Sequence, residues 1–161
     1  MITLTRRYRF SASHRLHSAE LSEAENMRVF GKCNNPFGHG HDYVLEVTIA
    51  GRIDEETGLL TPVEWLDQLV RREVLSVFSH RNINLDVAQF ASLIPTTENI
   101  ALVIAHLLQE NWHLLNSAPV GGARLCRVHL QETDRNGFEV LVGPDENQSS
   151  MDLQESVAIH V

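Results

Sequence analysis

Side chains alternate through the whole of residues 2–13. Ile2, Leu4, Arg6, Tyr8 and Phe10 fall on one face, and Thr3, Thr5, Arg7, Arg9 and Ser11 on the other. A segment of that length and period is a long strand with one face turned to a core, so the chain must supply further strands beside it and a layer to cover it. The next strand is 42–51, with Tyr43, Leu45, Val47 and Ile49 on one face. The linker between them, 16–32, is polar and irregular, with a short helical turn expected over 18–25. A turn cluster at 54–58 follows, and 59–61 extends the sheet briefly.

Two helices come next. Thr61 as cap and Pro62 at the first helical position start one that runs to about Phe78, with Leu66, Leu69, Val70, Val74 and Val77 at helical spacing. After a loop at 79–95, Thr96 or Thr97 caps a second helix over 98–115, buried through Ile100, Val103, Ile104 and Leu107. Gly121 and Gly122 open a third strand, 123–132, whose core side is ambiguous. Cys126, Val128 and Leu130 alternate, but Leu125 falls on the other face. Residues 134–137 are a hairpin turn and 138–142 a fourth strand. The order ββααββ implies an α+β domain over 1–142, a four-stranded antiparallel sheet with two helices on one face. Residues 143–161 form a separate extension. Its four acidic residues, with no Lys or Arg, carry half of the chain's net charge of −8.

That acidity argues against a nucleic-acid binder, which needs a basic face for phosphates. No apolar run approaches the ~20 residues of a membrane helix, and the Arg-bearing start has no apolar signal core. The expected setting is the cytoplasm, where Cys33 and Cys126 stay reduced.

The chemistry concentrates in Cys33-Asn34-Asn35-Pro36-Phe37-Gly38-His39-Gly40-His41. On an extended backbone His39 and His41 point to the same face, with Cα atoms roughly 6.5–7 Å apart, a spacing that lets two imidazoles converge on one metal ion. Pairing of the first two strands brings His14 toward them. Three neutral imidazoles suit Zn²⁺ and leave a position open for water or substrate. A closed structural site with Cys33 as fourth ligand is sterically allowed by the five-residue gap to His39 and would not catalyse. His106, His113, His129 and His160 read as surface or filling residues, and His17 as a loop residue near the site.

Residues 10–16 (Phe-Ser-Ala-Ser-His-Arg-Leu), 31–35 (Gly-Lys-Cys-Asn-Asn) and 38–41 (Gly-His-Gly-His) resemble the 6-pyruvoyl-tetrahydropterin and 6-carboxy-tetrahydropterin synthase family. So do Pro95-Thr96-Thr97-Glu98-Asn99-Ile100 and Gln131-Glu132-Thr133-Asp134, and the resemblance spans about 2–142. It implies the tunnelling fold, with protomers joining their sheets into trimers or hexamers and active sites between protomers. It implies conversion of 7,8-dihydroneopterin triphosphate, a small-molecule substrate, to 6-pyruvoyl-tetrahydropterin. The alternatives are the carboxy-forming relative of queuosine synthesis, or a non-catalytic pterin- or zinc-binding relative. Five residues between Cys33 and His39 mark the pyruvoyl type, against three in the carboxy type.

By this resemblance His14, His39 and His41 hold Zn²⁺ and the thiolate of Cys33 moves protons. His80 relays charge to Cys33, and Glu132, counted with these two among the catalytic residues, anchors the pterin ring with Thr96 and Thr97. One departure stands out. The family commonly has Asp before the relay His, and here the position is Ser79. A hydroxyl orients an imidazole but does not offset its charge, so a substitute carboxylate, with Asp86 as the loop candidate, or a less stabilised thiolate is implied.

Overall fold

The computed structural model describes residues 1–116 and 122–143. The acidic extension beyond 143 and residues 117–121, with Gly121, lie outside the described residues. Strand β1, Ile2–His14, pairs antiparallel with β2, His39–Gly51, in unbroken register from Ile2 opposite Gly51 to His14 opposite His39. On the far side of β2 lies β4, Arg124–Gln131, which forms a hairpin with β5, Gly137–Leu141.

The sheet has five strands in the order β3-β1-β2-β4-β5, where four were expected. The fifth, β3, is Arg81–Asn82, and it runs parallel to the end of β1. It forms because His80 adopts a left-handed backbone (φ 58°) and its N–H donates to the Ser11 carbonyl at 2.6 Å, turning the chain onto the β1 edge. Residues 59–61 add no strand; the Asp54 N–H donates to the Leu59 carbonyl and closes a loop.

The helices cover the face that the alternation of β1 and β2 selects. Helix α1, Glu23–Phe30, starts later than the expected turn, where Ser22 and Glu25 form a reciprocal capping box. Helix α2, Val63–Val70, runs on through a π-helical turn, Arg71–Leu75, into Ser76–Phe78. Its cap position is Pro62, one residue later than read from the sequence. Helix α3, Thr97–Glu110, is capped by Thr96, whose hydroxyl accepts the Asn99 N–H. It ends at Glu110, and His113–Asn116 is a separate short turn of helix. Tyr43, Leu45, Val47 and Ile49 of β2 are fully buried against Leu66, Val70, Val74 and Phe78 of α2 and Ile100, Ile104 and Leu108 of α3.

The ambiguity in β4 has a structural answer. Thr48 pairs with Arg127 and Ile49 with Leu125, so Cys126 is the extra residue of a β-bulge. The bulge flips the alternation, and Leu125, Val128 and Leu130 all reach the core. Cys33 and Cys126 are both free thiols.

Arg6 lies on the core face of β1 because it is paired there. Its guanidinium holds the Asp67 carboxylate of α2 by two hydrogen bonds of 3.1 and 2.6 Å, and the Tyr8 hydroxyl donates to the same carboxylate at 2.8 Å. These bonds, Arg6 foremost, keep the Asp67 carboxyl below its usual range. A depressed folded-state carboxyl contributes stability above its unfolded pKa and loses it as pH falls through the folded value. Asp67→Asn is therefore expected to lower the melting temperature at neutral pH. The gap from wild type should close in acid, a dependence that thermal scans over pH would reveal.

Candidate metal centre and catalytic cleft

Three imidazoles meet where β1 ends and β2 begins. His14 is the last residue of β1 and His39 the first of β2, directly opposite, while His41 lies two residues along β2 on the same face. Gly38 makes the approach possible. Its φ is +70°, and a Cβ there would stand 2.9 Å from the His14 carbonyl oxygen. One ligand atom from each of His14, His39 and His41 lies within 4.8 Å of the others. Cys33 does not join that group.

The donor set fits a metal. The His14 Nδ1–H donates to the Pro95 carbonyl at 2.8 Å, which fixes the tautomer and leaves Nε2 as a lone-pair donor aimed at the cluster. That Nε2 is 3.2 Å from His39 Nε2, and the buried His41 Nε2 has no hydrogen-bond partner among the described residues. A cation among the three nitrogens satisfies all of them. Burial, the chief cause in both, lowers the pKa of His14 and of His39, against the opposing pull of the Pro95 bond on His14. Both shifts favour the neutral, ligating imidazole.

The cluster opens onto a cleft of about 880 Å³ lined by Lys32, Cys33, His39, His41, Glu132 and the β4–β5 turn from Thr133 to Asn136. Glu132 stands at its inner end. Its Oε1 accepts the Thr97 hydroxyl at 2.7 Å and lies 3.7 and 3.6 Å from the Nε2 atoms of His14 and His41. Thr96 is placed differently from Thr97, with its hydroxyl spent on the helix cap.

Cys33 lies in the 3₁₀ turn Gly31–Asn34 that follows α1. Sequence reasoning did not foresee what holds it there. The Leu16 N–H donates to the Cys33 carbonyl at 2.9 Å, and Arg15 Nε donates to the Asn34 carbonyl at 3.2 Å. The buried Asn34 side-chain oxygen takes Arg15 at 3.3 Å and pairs with His17 Nδ1 at 2.9 Å. Asn84 in turn grips both the N–H and the carbonyl of Arg15, at 2.8 and 3.0 Å. No spacing rule marks residues 15, 17, 34 and 84 as a set; only their nearness to His14 and Cys33 hints at it.

His80 does not line the cleft that Cys33 lines. It lines a second cleft, of about 430 Å³, with residues of β1, β2 and β3.

The chain matches the family model of 6-pyruvoyl tetrahydropterin synthase over residues 3–141. It belongs to that family. The human 6-pyruvoyl tetrahydrobiopterin synthase is 43% identical over 133 residues, 83% of this chain and 86% of that one. The Drosophila melanogaster protein of the same name is 48% identical over 133 residues, 83% of this chain and 75% of its own length. The structure of 6-pyruvoyl tetrahydropterin synthase from Caenorhabditis elegans superposes with a TM-score of 0.77 at 37% identity, covering 88% of this chain and 96% of that one. The chain is thus a member of an enzyme family, lyases acting on phosphates in pterin biosynthesis. Among the described residues no helix is long and apolar enough to cross a membrane.

Proposed function

We propose that this chain is a 6-pyruvoyl-tetrahydropterin synthase that converts 7,8-dihydroneopterin triphosphate to 6-pyruvoyl-tetrahydropterin with loss of triphosphate. The observation that carries this reading is a cluster of three imidazoles, two of which, His39 and His41, line one cleft with the Cys33 thiol and the Glu132 carboxylate. His14, His39 and His41 would hold Zn²⁺, with Cys33 left outside the ligand set. When bound, the ion supplies a Lewis acid for the hydroxyls of the substrate side chain.

The chain's own residues do the rest. Cys33, beside the cluster, takes and returns protons at the side-chain carbons. The redistribution is internal to the substrate and needs no external redox cofactor. Glu132 accepts the paired N–H donors of the pterin ring, as a carboxylate accepts a guanidinium fork. Thr97 orients it through the 2.7 Å hydrogen bond. His80 relays charge to the thiol. Because His80 and Cys33 line separate clefts, that relay crosses from one protomer to another in a homo-oligomer, a trimer or hexamer. The working compartment in this reading is the cytoplasm.

The deciding experiment incubates zinc-loaded protein with 7,8-dihydroneopterin triphosphate and identifies the products by mass. Pyruvoyl product with released triphosphate is expected. A carboxy product, or none, overturns the reading. Within it, Glu132→Gln keeps the acceptor for Thr97 but removes the charge and one acceptor edge. Pterin affinity should weaken by roughly 1.5–3 kcal/mol, the range for hydrogen bonds to a charged group. Isothermal titration with a non-reacting pterin measures it, and an unchanged affinity would place the ring elsewhere.

A further inference from the structure

An imidazole that relays protons works when a third group holds its ring in one orientation and one tautomer. The neighbouring residue, Ser79, supplies no charge. The acid closest in sequence, Asp86, does not line the cleft that His80 lines. Its Oδ2 accepts the Asn82 N–H at 2.8 Å and closes the turn Ile83–Asp86.

The cleft that His80 lines contains another carboxylate, Asp42 of β2. Ser11 of β1 stands between them and touches both. Its carbonyl accepts the His80 N–H at 2.6 Å, and its hydroxyl donates to Asp42 Oδ1 at 2.5 Å. Asp42 is directly opposite Ser11 in the β1–β2 register. His80 and Asp42 therefore flank β1 on its two sides, roughly two strand spacings of ~4.8 Å apart at the backbone. Both are exposed, and both line the same cleft as Ser11. That span is within the combined reach of an imidazole and a carboxylate. The other ionisable groups in the cleft are Arg81, a cation that cannot accept an imidazole N–H, and His41, which belongs to the imidazole cluster.

We propose that Asp42 is the positioning residue for His80, its carboxylate reaching over Ser11 to accept the ring N–H and fix the tautomer. The proposal rests on the reading of His80 as the relay residue. It assigns to β2 the anion that Ser79 does not supply.

The test uses the full-length, zinc-loaded protein and three variants: Asp42→Asn, Ser79→Asp and the double change. Asparagine keeps an acceptor for the Ser11 hydroxyl, so the strand pairing is retained. Asp42→Asn should lower kcat at least tenfold, with zinc content and KM for dihydroneopterin triphosphate unchanged. The ¹⁵N signals of His80 should move from one tautomer to a mixture. Ser79→Asp alone should gain nothing, since the position of the anion is already filled. Added to Asp42→Asn, it should restore both kcat and the single tautomer.

Unchanged His80 signals in Asp42→Asn would overturn the proposal, as would altered signals with full kcat. Loss of zinc in that variant would also overturn it, because Asp42 would then serve the neighbouring His41. If the wild-type protein turns nothing over, the reading of the function fails, while the His80 spectrum still reports whether Asp42 holds the ring.

Discussion

Cys33→Ala is expected to keep the fold, the metal and pterin affinity while losing about 10²–10⁴-fold in turnover, the range for removing a positioned acid–base group. The structure makes this a clean substitution. The bonds that fix the turn run to the backbone carbonyl of Cys33 and to Asn34, so none of them depends on the sulfur. The thiol is also outside the imidazole cluster, so its removal deletes a proton carrier and no ligand. Zinc analysis, pterin titration and kcat on one preparation separate these effects. Loss of zinc along with activity would identify Cys33 as a fourth ligand of a closed site. Full activity would show that another group moves the protons.

The parts of this fold that were legible in sequence are those in which local period and burial agree. β1 and β2 keep strict alternation with one face to the core, and their register follows, which is why the meeting of His14 with His39 and His41 could be read before the fold was known. Two elements resisted for physical reasons. The bulge at Cys126 inserts one residue, so no single phase places Leu125 and Leu130 on the same face. β3 is two residues long and owes its existence to a tertiary hydrogen bond from His80 to Ser11, which leaves no periodic trace. The site divides in the same way. The metal cluster is local to one strand pair, whereas the strap of Arg15, His17, Asn34 and Asn84 joins three segments by side-chain bonds that follow no fixed spacing. For a carboxylate partner of His80 the sequence points to its own loop, at Asp86, because sequence neighbours are what a sequence displays. Asp42 is 38 residues away and becomes a neighbour only through the β1–β2 pairing.

His39→Ala should abolish metal binding and, with it, turnover. His39 can be removed with less disturbance than His14. His14 is 1% exposed and its ring is tied to the Pro95 carbonyl, so truncating it would leave a cavity and an unpaired acceptor. His39 sits half-buried at the start of β2, and its ring forms no hydrogen bond to the backbone among the described residues. Its loss leaves two imidazoles where the open site needs three. Losing one outer-shell partner of a metal ligand already costs ~10–100-fold in affinity or activity, and losing the ligand itself costs more. A metal that binds only the folded state at a hundred times its Kd adds about 2.7 kcal/mol, roughly 5–10 °C in Tm for a chain of this size. Added zinc should therefore raise the Tm of the metal-free wild type by that amount and leave His39→Ala unmoved. The metal-free variant loses the 3.2 Å contact between His39 Nε2 and His14 Nε2 and should melt somewhat below the metal-free wild type, so the shift that zinc produces is read within each protein. A zinc-dependent rise retained in the variant would place the metal elsewhere than at the end of the β1–β2 hairpin.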